Sequence, residues 1–221
     1  MQLFMIGSGP FDPDFFRDYV QHHVASDANV AYVGVDLGAE RFLEMGIPMT
    51  FAIGDFDSVS AAVYAKIVQA TNQVTRLNPM KDETDMEAAL NHILDQGIEA
   101  DIHIFGALGG RVDHSLSNLW IAYKPQYQDI LDRIHLVNPK NQVTFLRPGK
   151  FTVDQLAGMK YLSFVAMTPV RKLKLKHVVY TLDGMNMDYP LALISNEFLP
   201  DQEQMSGSFK EGILAVIQAK D

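Results

Sequence analysis

The chain has 221 residues, 48% of them hydrophobic and 20% charged, no cysteine, and a formal net charge of −9. The apolar fraction suits a globular protein of one large or two small domains, and the missing cysteines exclude disulfides, thiolate zinc sites and cysteine nucleophiles. The negative charge argues against a nucleic-acid partner, which needs clustered Lys and Arg, and no apolar window or leader pattern points to a membrane, so a cytoplasmic location is expected.

In chain order, "QLFMIGSG" reads as a buried strand ending in glycines, and "FDPDFFRDYVQHHVA" has helical spacing. "NVAYVGVDLGA" and "PMTFAIGDFDS" repeat the strand-into-loop theme. "VSAAVYAKIVQA" and, more clearly, "DETDMEAALNHILDQG" are helices, and "DIHIFGALGG" is a further strand into a glycine turn. Strand, helix, strand in this order predicts a mainly parallel sheet with crossover helices. From about residue 134 the texture changes. "RIHLVNPKNQVTFLRPGKFTV", "KYLSFVAM", "RKLKLKHVVYTL", "PLALIS" and "GILAVIQAK" are short β-rich runs separated by Pro, Gly and Asn, the pattern of an antiparallel sandwich or barrel. The expected organisation is an α/β domain over 1–135 and an all-β domain over 136–221, with a soft boundary near 125–138.

Ligands of an open parallel sheet bind beyond the carboxyl ends of its strands, where "GSGP", "VDLGA", "GDFDS" and "GALGGRVDHS" fall. In "GDFDS", Asp55 and Asp57 can aim two hard oxygen ligands to one side if the chain is turning, as Mg²⁺ requires; an Asx turn with a helix cap is the structural alternative. In "KDETDMEAAL", Asp82 or Thr84 can cap the helix, with Asp85 and Glu87 near its positive end. That explains the acids but not Lys81, which can hold a phosphate beside a helix N-terminus while Asp82 or Asp85 faces a metal. In "GALGGRVDHSLSNLW" a glycine loop precedes Arg111, a fork for phosphate oxygens, then Asp113, a possible cap, and His114. Neither P-loop spacing nor a nucleophile elbow is present. Carboxylates, one Lys, one Arg and glycine loops are the equipment of Mg²⁺-assisted phosphoryl-type transfer.

In order, "GDFDS", "KDETDMEAAL", "GALGGRVDH" and "ISNEFL" resemble the motifs of the thiamin pyrophosphokinase family, over residues 54–199. The resemblance implies an α/β domain binding ATP as co-substrate, a C-terminal β-sandwich binding thiamine and forming the homodimer, and diphosphate transfer from MgATP to the thiamine hydroxyl. It implies that Asp55, Asp57 and Asp85 hold the metal, and that Lys81, Asp82 and Thr84 lie on the nucleotide side. Arg111, Asp113 and His114 match its phosphate and substrate loop, Asp36 and Gly38 fit its turn after the second strand, and Ser195 and Asn196 match a Ser-Asn pair contacting the thiamine pyrimidine. Tyr180 looks like the aromatic ring that stacks on substrate. "GVDLGAE" departs from the family's turn at Leu37, "HVVY" replaces a Gly-x-Lys-Tyr pattern, and "GSGP" is looser than the Gly-Gly start. Two rival readings are an Asp-x-Asp glycosyltransferase, which assigns nothing to "KDETD" or "SNEFL", and a thiamine or nucleotide sensor without turnover.

Overall fold

Strands covered on both faces read as unbroken apolar runs. The computed structural model, which describes residues 1–24, 29–71 and 73–221, has five parallel strands among the described residues of its first compact unit, Met1–Ile121, four of them of this kind and the fourth in chain order short and largely exposed. They are β1 (Gln2–Ile6), β2 (Val30–Val35), β3 (Phe51–Gly54), β4 (Val74–Arg76) and β5 (Asp101–Phe105), in the spatial order β5-β1-β2-β3-β4. Chain order runs outward from β1 to β4 and then jumps to β5 on the other side of β1. The reversal of direction opens a crevice at the carboxyl ends of β1 and β5, where both loops are glycine-rich.

Four α-helices connect these strands among the described residues, and a fifth follows β5. Helix α1 (Pro13–His23) starts at Asp12, whose carboxylate accepts from the Asp14 and Phe15 amides, with Pro13 at the first position where its missing N–H costs nothing. The helical stretch expected to run to Ala25 ends with that residue outside the described residues. Helix α2 (Leu37–Met45) stops at Gly46, in the left-handed region with φ 68°. Helices α3 (Ala61–Ala70), α4 (Asp85–Asp95) and α5 (Val112–Trp120) follow. Phe16 of α1 meets Phe42 and Phe105 edge-on at centroid distances of 5.8 and 4.9 Å, locking two helices to β5 through aromatic contacts. Among the described residues no helix is long and apolar enough to cross a membrane.

The second unit, Ala122–Asp221, begins with a 3₁₀ segment, Pro125–Arg133, and continues in antiparallel strands. One sheet has the order β12-β9-β14-β7-β6, from β6 (Ile134–Asn138), β7 (Asn141–Leu146), β9 (Tyr161–Ala166), β12 (Leu191–Asn196) and β14 (Leu214–Ala219). The other has the order β11-β10-β13-β8, from β8 (Gly149–Asp154), β10 (Val170–Lys176), β11 (Leu182–Met187) and β13 (Gln204–Phe209). Leu162, Phe164 and Val216 of the first sheet pack with Leu173, Leu175, Met205 and Phe209 of the second, so the two form a sandwich over one core. In β10 the alternation is literal: Leu173 and Leu175 are buried while Lys172, Lys174 and Lys176 are exposed. The expected α/β region followed by an all-β sandwich is the fold observed. Strands β4, β11 and β13 had no legible signal, because "LDGMNM" and "QMSGSF" carry too few apolar residues to alternate and β4 is three residues long.

Candidate active site

A cavity of about 590 Å³ opens in the first unit at the carboxyl ends of its strands. One wall is acidic. Parallel pairing sets Val35 against Ile53, so Asp36 and Asp55, the second residue after β3's Ile53, leave the sheet side by side. Gly54 makes this possible: a Cβ there would stand 2.9 Å from the Asp36 Cα. The following Phe56 is buried with φ 59°, its ring tilted against Tyr64 at 5.1 Å, and this left-handed residue turns the chain between Asp55 and Asp57. Asp36, Asp55 and Asp57 thus each offer a carboxylate oxygen within 4.8 Å of the others. Asp36 is only 5% exposed, and its Oδ1 is the one buried side-chain oxygen without a hydrogen-bond partner among the described residues. Its backbone, φ 51° and ψ −119°, lies in a sparsely populated region of the kind stored at functional sites.

In "KDETD" the helix cap is formed. Thr84 is the N-cap of α4 and forms a full capping box with Glu87, at 3.2 Å in each direction. Lys81 Nζ donates to Asp85 at 2.7 Å, with both side chains largely buried. Burial raises the Asp85 pKa; the Lys81 bond pulls it back, and the Asp55 and Asp36 charges push it up again. Thr84 and Asp85 line the cavity. Lys81 faces Asp85, and Asp82 is exposed outside the cavity lining. Asp36 thus joins Asp55 and Asp57 in a three-carboxylate group, and Asp85, bonded to Lys81, lines the same cavity.

The loops Gly7–Pro10 and Gly106–Arg111, which also line the cavity, lie against each other, with the Gly9 amide donating to the Gly106 carbonyl at 2.9 Å. Arg111 and His114 line the cavity, and Arg111 grips Asp113 through Nε at 3.1 Å and Nη2 at 2.6 Å. That bidentate pair is exposed, and it holds the Asp113 pKa down at about 2. Gly38 lies outside the lining but fixes it: a Cβ would fall 1.7 Å from the Ile6 carbonyl oxygen, so only glycine lets α2 start this close to β1.

The family described as thiamin pyrophosphokinase, catalytic domain, matches residues 22–132, and the thiamin pyrophosphokinase vitamin B1 binding domain matches residues 150–214. A thiamine pyrophosphokinase of Bacillus subtilis is 31% identical over 198 residues, 89% of this chain and 90% of its own. The chain belongs to the thiamin pyrophosphokinase family. A solved thiamin pyrophosphokinase family protein from Enterococcus faecalis superposes with a TM-score of 0.87 at 32% identity over 100% of both chains. The crystal structure of the Bacillus subtilis thiamine pyrophosphokinase gives 0.83 at 28% identity, again over 100% of both. Family membership of the whole chain leaves the glycosyltransferase reading without support.

Of the residues matched to the family's thiamine contacts, Asp113 lies in the first unit and Tyr180, Ser195 and Asn196 in the second. Ser195 is exposed, with φ 60°, and its amide donates to Ser163 Oγ at 3.2 Å. Asn196 is buried: its Oδ1 accepts from the amides of Tyr180 and Glu197, and its Nδ2 donates to the Tyr180 carbonyl, all at 2.9 Å. Its amide group is therefore a clamp on the backbone of Tyr180, whose ring is 66% exposed. Within the cavity, reading the sequence overlooked Ser8, Arg41 and Asn118. Asn118 Nδ2 donates to the Ala107 carbonyl at 2.9 Å and supports the glycine loop from α5. A Ser in a Gly-rich turn was the one available signal; an Arg and an Asn inside helices carried none.

Proposed function

We propose that the chain is a thiamine diphosphokinase that transfers the β,γ-diphosphate of MgATP to the thiamine hydroxyl, giving thiamine diphosphate and AMP. The observation that carries the chemistry is the Asp36, Asp55 and Asp57 group at the wall of the cavity, with a buried Asp36 oxygen left unpartnered. Oxygen donors of this kind fit a hard cation, and all three residues would hold Mg²⁺. When bound, Mg²⁺ supplies charge neutralisation for the phosphates.

Around it, the chain's own groups have separable tasks. In the transfer the thiamine hydroxyl oxygen forms a bond to the β-phosphorus and gives up its proton to solvent, and the bond from that phosphorus to the α,β-bridging oxygen breaks, leaving AMP with the electron pair. Arg111 presents a guanidinium at the cavity mouth that can exchange its Asp113 partner for phosphate oxygens. Asp113, released as Arg111 turns to phosphate, orients the hydroxyl through a hydrogen bond and, as a carboxylate, is too weak a base to remove its proton early. The close-packed glycine loops bring backbone to the nucleotide, with His114 and Thr84 beside it, and the Lys81 bond holds Asp85 in place. The first unit serves the nucleotide. The second serves thiamine and the homodimer, a reading supported by Val179, Tyr180, Ile194 and Leu199, which leave 46%, 66%, 70% and 38% of their surface exposed.

An assay for AMP with ATP, Mg²⁺ and thiamine tests this reading. AMP released only when thiamine is present is the expected result; thiamine binding without AMP makes the protein a sensor instead. Asp57→Asn should lower turnover by about 10²–10³-fold with an unchanged circular dichroism spectrum, on the scale of losing one preorganised electrostatic group. Full activity in that variant would remove Asp57 from the metal site.

A further inference from the structure

We propose that Ser8 and Arg41 are positioning residues for Asp36, bracing its carboxylate so that one oxygen is held by the protein and the other is kept for the cation. This rests on reading Asp36, Asp55 and Asp57 as the metal site. Asp36 occupies the N-cap position of α2, where an aspartate ordinarily accepts from helix amides, yet it makes no side-chain cap bond. Its carboxylate faces the other way. Ser8 Oγ donates to Oδ2 at 3.1 Å, while Oδ1 is buried and bare. A buried carboxylate oxygen without a partner is costly, and the arrangement is relieved when a ligand arrives. One fixed oxygen also removes rotation of the carboxylate, which lowers the ordering that metal binding would otherwise require.

Ser8 lies on an exposed turn and would be a loose anchor by itself. Arg41 ties it down. The guanidinium donates to the Gly7 carbonyl and, at 3.2 Å, to the Ser8 carbonyl, and it lies 5.3 Å over the Phe11 ring. Arg41 stands five residues after Asp36, on the first turns of α2, so one helix reaches the Ser8 turn twice, once through Asp36 and once through Arg41. The planar fork suits two adjacent carbonyls, which a lysine cannot reproduce.

The test is Mn²⁺ binding without nucleotide, followed by electron paramagnetic resonance, for the wild type and for S8A, S8T, R41K and D55N, with a urea midpoint for each. We expect S8A to weaken Mn²⁺ binding about 10-fold, the range for loss of a residue that orients a metal ligand. S8T restores most of it, R41K shows a smaller loss, and D55N shows the largest. The urea midpoint of S8A falls modestly, because Asp36 Oδ2 loses its donor, so recovery of Mn²⁺ affinity in S8T is what separates positioning from a merely structural role. Wild-type affinity in S8A with a clear loss in D55N overturns the role of Ser8 and leaves the metal site standing. Wild-type affinity in R41K removes Arg41 from the brace. Unchanged affinity in D55N overturns the metal site, and this inference with it; a loss in S8A that tracks a lowered midpoint and is not restored by S8T overturns the inference alone.

Discussion

Arg111 and Asp113 show how two adjacent residues divide the chemistry of a site. Their fork stabilises the Asp113 anion, so its pKa falls to about 2. The folded value lies below the unfolded one, so the pair's contribution to stability is complete above the ordinary carboxylate range. It is lost as pH falls from there through about 2. Carbon-detected NMR titration of Asp113 should place its midpoint near 2, and Arg111→Ala should return it toward about 3.9. A midpoint unmoved by Arg111→Ala would mean that the fork is not formed in solution. The same residue bears on catalysis: gripped by Arg111 or released to the hydroxyl, a carboxylate is ionised well below neutrality, so a pH-rate profile governed by Asp113 is not expected there. At this scale the sequence pointed to Asp55, Asp57 and Arg111. It left Asp85 between cap region and metal, because a Lys four residues before an Asp looks the same whether it meets that Asp or a phosphate.

Among the elements, the junction between β10 and β12 carries the clearest consequence. After Lys176 the strand breaks at His177, φ 62°, and Val178 pairs with Phe198 in an isolated bridge. The clamp from Asn196 then fixes the Tyr180 backbone at both its amide and its carbonyl. Asn196→Ala would leave buried polar groups unsatisfied, at a cost of about 1–3 kcal/mol. Hydrogen exchange should report lost protection at the Tyr180 amide, and the KM for thiamine should rise more than kcat falls. Protection unchanged from wild type would show that water replaces the clamp without penalty. "SNEFL" was legible as a motif, but its Asn acts here through the backbone it holds, which no residue pattern distinguishes from a side chain aimed at a ligand.

For the whole molecule, the proposed homodimer predicts sedimentation at twice the 24.7 kDa chain mass, with Tyr180→Asp and Ile194→Asp together shifting it toward monomer. A wild-type monomer at micromolar concentration would leave the exposed apolar groups of the second unit without that explanation. The chain divides after Ile121 into compact units, whereas the change in sequence texture begins near residue 134. The difference arises because the 3₁₀ segment Pro125–Arg133 packs onto β6 and β7 of the second unit, a contact that local periodicity does not encode.

By itself the sequence determined the order of strands, helices and glycine turns, since apolar periodicity and turn chemistry are local properties, and it supplied the ordered motifs that carry the family. Only the tertiary structure decided which carboxylates stand together. Asp36 and Asp55 are far apart in the chain and become neighbours through the parallel register of β2 and β3. Asp57 joins them through the left-handed turn at Phe56, and Lys81 takes Asp85 through a four-residue reach into α4. Each of these is a contact between elements or an unusual backbone conformation, set by packing of the folded sheet and invisible in a one-dimensional pattern.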